Sequence, residues 1–197
     1  MGKIIVIEHV TLDGVMQAPG RCDEDTSGGF AHGGWGAAGQ DHVMAETMAE
    51  GMANPGPLLL GRRTYEDFAA YWPKQDDNPY TVVLNETQKY VVSSTLSDPL
   101  PWANSSVVAG DVGHEVARLK RETDADIGVL GSGALVETLA VHDLVDSYVL
   151  LIHPMALGSG RRLFADGCPR REFGLTSSVT TTTGVIIATY DRATNGA

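Results

Sequence analysis

The period of hydrophobic and polar positions changes several times along the chain, and each change marks an element. Lys3 to Val10 is nearly continuous and β-branched, the signature of a strand buried on both faces, and Thr11-Leu12-Asp13-Gly14 breaks it. From Gln17 to Gly39 neither a helical nor a strand period survives. A stretch of that length without elements is uncommon in a compact domain and is functional more often than not. Asp41 to Met52 reads as the first helix, with Asp41 as N-cap and Val43, Met44, Thr47, Met48 and Met52 near one face. Asn54-Pro55-Gly56-Pro57 stops it. Leu58 to Leu60 is a short buried strand, and Tyr65 to Tyr71 a short helix closed by Pro73. Thr81 to Asn85, Lys89 to Ser93 and Ser105 to Val108 are strand-like. His114 to Thr123 is an amphipathic helix, Asp126 to Leu130 a strand, Ala134 to Ala140 a helix and Leu144 to Ile152 a strand. Glu172 to Thr181 and Val185 to Tyr190 form an antiparallel pair. Alternating strands and helices followed by that pair predict an α/β fold, with a mixed, mostly parallel sheet flanked by helices.

Composition narrows the function. The 197 residues fit one domain, expected over 1–197 with a core at about 3–191. Lys and Arg number 14 against 25 Asp and Glu, a net charge of −11, which disfavours a general nucleic-acid binder. A local arginine cluster could still hold one phosphorylated ligand. Cys22 and Cys168 make neither a disulfide framework nor a Cys-x-x-Cys pair, and no His-Glu-x-x-His spacing occurs, so no metal is expected. Without a signal sequence or a long apolar run, a soluble, cytoplasmic protein is expected.

Three motifs carry candidate chemistry. Val129-Leu130-Gly131-Ser132-Gly133-Ala134-Leu135 runs from strand through a glycine turn into a helix, whose free N–H groups suit an anion. A ligand-free tight turn reads equally well. Val136 stands where the dinucleotide fingerprint Gly-x-Gly-x-x-Gly needs its last glycine. Leu60-Gly61-Arg62-Arg63-Thr64 brings two arginine forks and a hydroxyl to a strand end, fit for a phosphate monoester or for pairing with Glu66 and Asp67. Ser93 and Ser94 end another strand. Three such strand tips suit a long phosphorylated ligand lying across strand carboxyl ends.

Taken in order, Thr11-Leu12-Asp13-Gly14-Val15-Met16, Gly61 to Tyr65, Val92-Ser93-Ser94, Gly131 to Ala134 and the block Leu151 to Phe164 resemble the dihydrofolate-reductase-like superfamily. The nearest branch is that of the riboflavin-biosynthesis reductase, the C-terminal domain of the bifunctional deaminase/reductase. Gly33-Gly34-Trp35 with Asp41 resembles small stand-alone members. The resemblance, from Lys3 to Tyr190, implies an NADPH-dependent reductase passing a hydride to a small heterocyclic or carbonyl substrate, with pyrimidines and pterins among the compounds implied. The alternative is a non-catalytic NADP-binding protein of the same fold. Gly131, Ser132, Gly133, Ala134 and Leu135 would hold the pyrophosphate, and Gly61, Arg62, Arg63, Thr64, Ser93 and Ser94 the adenosine 2′-phosphate. Asp13 or Asp41 would supply the proton, and Met16, Gln17, Phe30 and Trp35 would wall the substrate. A homodimer is implied as well. The zinc motif of the companion deaminase is absent from the sequence, so only the reductive step is expected.

Overall fold

The computed structural model describes residues 1–53, 55–75 and 78–193. Asn54, in the helix-ending turn, and 194–197, the end of the expected domain, lie outside them. Eight strands form one sheet in the order β4-β3-β2-β5-β1-β6-β8-β7. They are β1 (Ile4–Thr11), β2 (Leu58–Gly61), β3 (Lys89–Val92), β4 (Ser105–Val108), β5 (Ile127–Leu130), β6 (Ser147–His153), β7 (Phe173–Thr180) and β8 (Ile186–Arg192). All neighbours from β4 to β6 pair parallel, whereas β8 pairs antiparallel with both β6 and β7. The helices are α1 (His42–Gly51), α2 (Arg62–Tyr71), α3 (Pro79–Glu86), α4 (Val112–Glu122) and α5 (Gly133–Val141). The expected α/β architecture is therefore present.

Continuous apolar runs become central strands because both faces are covered. Ile4, Val6 and Val10 of β1 pack with Leu59, Ile127 and Val129 against Val116 and Leu119 of α4 and Leu135, Val136 and Leu139 of α5. On the opposite face, Leu58, Leu60 and Val91 meet Tyr65 of α2 and Leu84 of α3. Met44 of α1 packs with Leu151, Val185 and Ile187 there. The alternation of Leu58, Leu59 and Leu60 between faces is the two-residue period of a strand.

Besides β6, which begins at Ser147 rather than Leu144, two elements differ from the pattern-based expectation. Thr81 to Asn85 is helical, as part of α3, although its β-branched residues suggest a strand. The Asn78 side chain caps Tyr80 N–H at 3.0 Å and Pro79 takes the first turn. This local start signal outweighs the weak strand propensity of Thr81-Val82-Val83. Asn78→Ala should cost about 1 kcal/mol of stability, read in denaturant melts. At the far end of α3, Lys89 is fully buried, gives its ammonium to the carbonyls of Leu84 and Thr87, each at 2.6 Å, and lies over Trp102. A lysine thereby sits inside the sheet as a helix C-terminal cap. The second difference is α2, which begins at Arg62 rather than Tyr65, with Gly61 as N-cap. Arg62, Arg63 and Thr64 thus form its first turn, where backbone N–H groups have no intrahelical partner.

Between β1 and α1 the chain forms only two short 3-10 turns, Ser27–Gly29 and Ala37–Gly39. No helix among the described residues is long and apolar enough to cross a membrane.

Candidate active site

Strands β1 and β5 stay in register only from Ile4↔Ile127 to Ile7↔Leu130, while β1 continues beside β6 to Thr11↔His153. From Glu8 onward, one edge of β1 is released as the chain turns away at Gly131. A cleft of about 1400 Å³ opens there, at the carboxyl ends of β1, β2 and β5. In open α/β sheets this is the usual place for a ligand.

The cleft brings two of the three strand tips together. Gly61 to Thr64 and Gly131 to Leu135 all line it. Ser132 is the hinge between them: its hydroxyl accepts Gly61 N–H at 2.9 Å and donates to Leu130 C=O at 3.1 Å. Gly131 (φ +56°) and Ser132 (φ +66°) both lie in the left-handed region, which folds the chain back so that α5 starts beside α2. Leu135 and Val136 N–H both return to Ser132 C=O, so Gly133 and Ala134 carry the free donors of α5. Two helix N-termini therefore aim at one place, where their partial positive charges add. Arg62 is paired with Glu66 at 2.8 Å. Arg63 is exposed and has no carboxylate partner among the described residues, leaving its guanidinium ready for an anion.

The third tip does not join them. Val92 reaches the cleft wall, but Ser93 and Ser94 are not among the lining residues. The Ser93 hydroxyl accepts Thr95 and Leu96 N–H at 3.1 and 3.0 Å, closing its own turn. The phosphate role expected of these serines is not supported by this position.

The two carboxylates expected to donate a proton also lie away from the cleft lining. Asp13 accepts the Thr11 hydroxyl at 2.6 Å and the N–H groups of Gly158 and Leu157 at 2.8 and 3.1 Å. The Thr11 hydroxyl first, and then those two amides, hold it down to about 2. Asp41 caps α1 through Met44 N–H and takes both the hydroxyl and the N–H of Thr182 at 2.6 Å. Its carboxyl is lowered chiefly by the Thr182 hydroxyl and then by Met44 N–H. Carboxyls so held favour the anion and act as turn and cap residues, a placement that does not favour the proton-donor role expected of them.

Of the expected substrate wall, Met16 and Gln17 line the cleft. Met16 lies against the glycine turn, where a Cβ on Gly133 would sit 2.9 Å from its sulfur. The amide of Gln17 is spent on the loop: its nitrogen donates to the carbonyls of Asp25 and Ser27, and its oxygen accepts Arg161 N–H. Phe30 and Trp35 pack instead with Val15 and Ala18 beneath the loop. The Trp35 indole donates to Gln17 C=O at 2.7 Å. They anchor the segment rather than face a ligand. Ion pairs Arg21–Asp67 and Arg161–Asp25 then fasten the loop across the cleft, to α2 and to the segment after β6.

Two residues at the cleft floor stand outside those selected by motif. Glu8 is buried, its Oε1 has no hydrogen-bond partner, and burial first, then the charge of Glu24, pushes its carboxyl well above the usual range. His9 shares a 2.9 Å contact, Nδ1 to Nε2, with His153. Burial, and secondarily His153, pushes His9 down to about 4, and burial lowers His153 as well, so both rings are neutral at physiological pH. The available signal was a carboxylate and an imidazole interrupting an otherwise apolar strand, an expensive placement in a sheet covered on both faces.

Comparison with known proteins matches the family model "RibD C-terminal domain" over residues 2–187. The curated Bacillus subtilis (strain 168) protein YyaP, itself uncharacterised, is 31% identical over 139 residues, 68% of this chain and 72% of YyaP. The uncharacterised YwjB of the same organism is 29% identical over 110 residues, 54% of this chain and 57% of YwjB. A crystal structure from Shewanella sp. PV-4, named for riboflavin biosynthesis, superposes with a TM-score of 0.68 at 20% identity, covering 98% of this chain and 99% of that one. A pyrimidine reductase-like protein of Corynebacterium diphtheriae gives 0.65 at 12% identity, covering 98% and 93%. At those identities the two structures speak for the fold.

Proposed function

This chain belongs to the RibD C-terminal domain family, and from that premise we propose that it is an NADPH-dependent reductase of a small heterocyclic or carbonyl substrate. The observation carrying the cofactor half is the meeting of two helix N-termini, α2 and α5, stitched through Ser132 beside Arg63, which has no carboxylate partner among the described residues. Free N–H donors from two helices fit a pyrophosphate, and a guanidinium fork fits the added monophosphate of NADPH. When bound, the cofactor would supply the hydride. The chain's part is to fix the nucleotide by the phosphates, with Met16 and the glycine turn forming the floor and the 17–29 loop excluding water. The name of one structural relative, pyrimidine reductase-like, supports a pyrimidine-type substrate.

Titration of NADPH and NADH against tryptophan fluorescence tests the reading. NADPH should bind at least about tenfold tighter, a difference of about 1.4 kcal/mol. Arg63→Ala should bring the two affinities together, while Arg62→Ala, whose guanidinium is already engaged by Glu66, should change the ratio less. No binding of either nucleotide, or selectivity that survives Arg63→Ala, refutes the assignment. Binding without NADPH oxidation across a panel of pyrimidine, pterin and imine acceptors would select the non-catalytic nucleotide binder.

A further inference from the structure

We propose that Glu8 is the proton donor of this site, handing its carboxyl proton to the heteroatom of the acceptor double bond; the proposal rests on the reductase reading above. Glu8 sits where β1 loses β5 and the cleft begins, and one of its oxygens is buried with no partner. Five of the other carboxylates lining the cleft are already engaged. Glu24 accepts Gly20 and Arg21 N–H at 2.7 and 3.0 Å, and Asp25 is paired with Arg161. Asp67 is paired with Arg21, Asp23 lies 3.6 Å from that same guanidinium, and Glu66 is paired with Arg62. Glu137 of α5 and Asp166 line the cleft but are exposed. Glu8 has no cation beside it among the described residues.

Burial first, and the Glu24 charge second, shift this carboxyl toward its protonated form, and among the described residues no guanidinium or amide compensates the anion. An acid kept protonated near neutral pH is the form that can donate. Its neighbour His9, on the same strand, is neutral and held by His153, so it offers no imidazolium to compete. In the step, the acceptor carbon gains a hydride from the reduced nicotinamide, which is oxidised. The double-bond electron pair moves to the heteroatom, which takes the proton as the Glu8 O–H bond breaks. The carboxylate regains a proton from water once product leaves.

The test compares wild type with Glu8→Gln, and with Glu8→Asp as a second variant that keeps an acid. Acceptors are a neutral cyclic imine, which needs both hydride and proton, and its N-methylated iminium cation, which needs only hydride. Glu8→Gln should bind NADPH as wild type does. It should reduce the neutral imine about 100-fold or more slowly, within the 10²–10⁴ range of general acid catalysis, and the iminium at an unchanged rate. Glu8→Asp should recover part of the loss. Difference infrared spectra of the NADPH complex at neutral pH should contain a protonated-carboxyl stretch that Glu8→Gln removes. Equal losses on both acceptors, or the absence of that stretch, overturns the role of Glu8. Failure of the wild type to bind NADPH would instead strike the reductase reading, so the two failures are distinct.

Discussion

Gly131→Val should destabilise the protein by about 2–5 kcal/mol and remove NADPH binding from whatever remains folded. Gly131 adopts φ +56°, where an ordinary residue costs about 1–2 kcal/mol and a β-branched one is worse placed still. Its added Cβ would meet the Thr64 methyl at 3.2 Å and hydroxyl at 3.3 Å, on the first turn of α2. Neither the turn nor the helix can withdraw freely, because Ser132 ties the end of β5 to the end of β2. Overpacking of this kind costs about 1–3 kcal/mol more. Relief of the contact would push the N-terminus of α2 away from that of α5, separating the donors proposed to hold the phosphates. Thermal melts and a fluorescence titration below both melting temperatures measure the two effects. Gly174→Ala, with nothing within 4 Å of its added methyl, should change neither. A Gly131→Val protein that melts like wild type and binds NADPH normally would show that the glycine turn holds no ligand.

The second large effect is on the pH dependence of stability. Glu8 is raised in the folded state, by burial first and the Glu24 charge second. Below the ordinary carboxyl pKa of about 4.3, both folded and unfolded chains carry the Glu8 proton. As pH rises, the unfolded chain releases it first, so the native state binds more protons and stability falls. The loss is about 1.4 kcal/mol per pH unit until the folded carboxyl also ionises. Glu8→Gln has no proton to lose there. Its stability should match wild type in acid and exceed it increasingly from pH 5 upward, read from denaturant midpoints across pH. Parallel curves for the two proteins would mean that Glu8 is ionised in the fold and unable to donate.

Much of the architecture was legible because the relevant signals are local. An apolar run such as Ile4 to Ile7, flanked by a turn, has one good solution in a sheet covered on both faces, and Asp41 before an apolar-periodic segment marked the start of α1. Thr81 to Asn85 misled because β-branched side chains outnumbered the single cap that decided the matter, Asn78. The site was legible in proportion to its reliance on backbone. The glycine turn and the Gly61-Arg62-Arg63-Thr64 tip are motifs of chain geometry, and they meet. Side-chain partnerships are set by distant residues and left no mark in sequence order. Ser93 turns inward to its own loop, Asp13 is claimed by a segment over 140 residues away, and Phe30 and Trp35 are claimed by the core. Glu8 was readable in principle from its placement in an apolar strand, but no motif drew attention to it.

The parting of β1 from β5 separates the tips of β2 and β5 from the free edge of β1. Under the proposed function, the tips of β2 and β5 would grip the nucleotide and the free edge of β1 would serve the acceptor. On this reading the scaffold is modular: a lineage could adopt a new acceptor by rewriting the few positions after Ile7, leaving the inherited grip on the reductant intact.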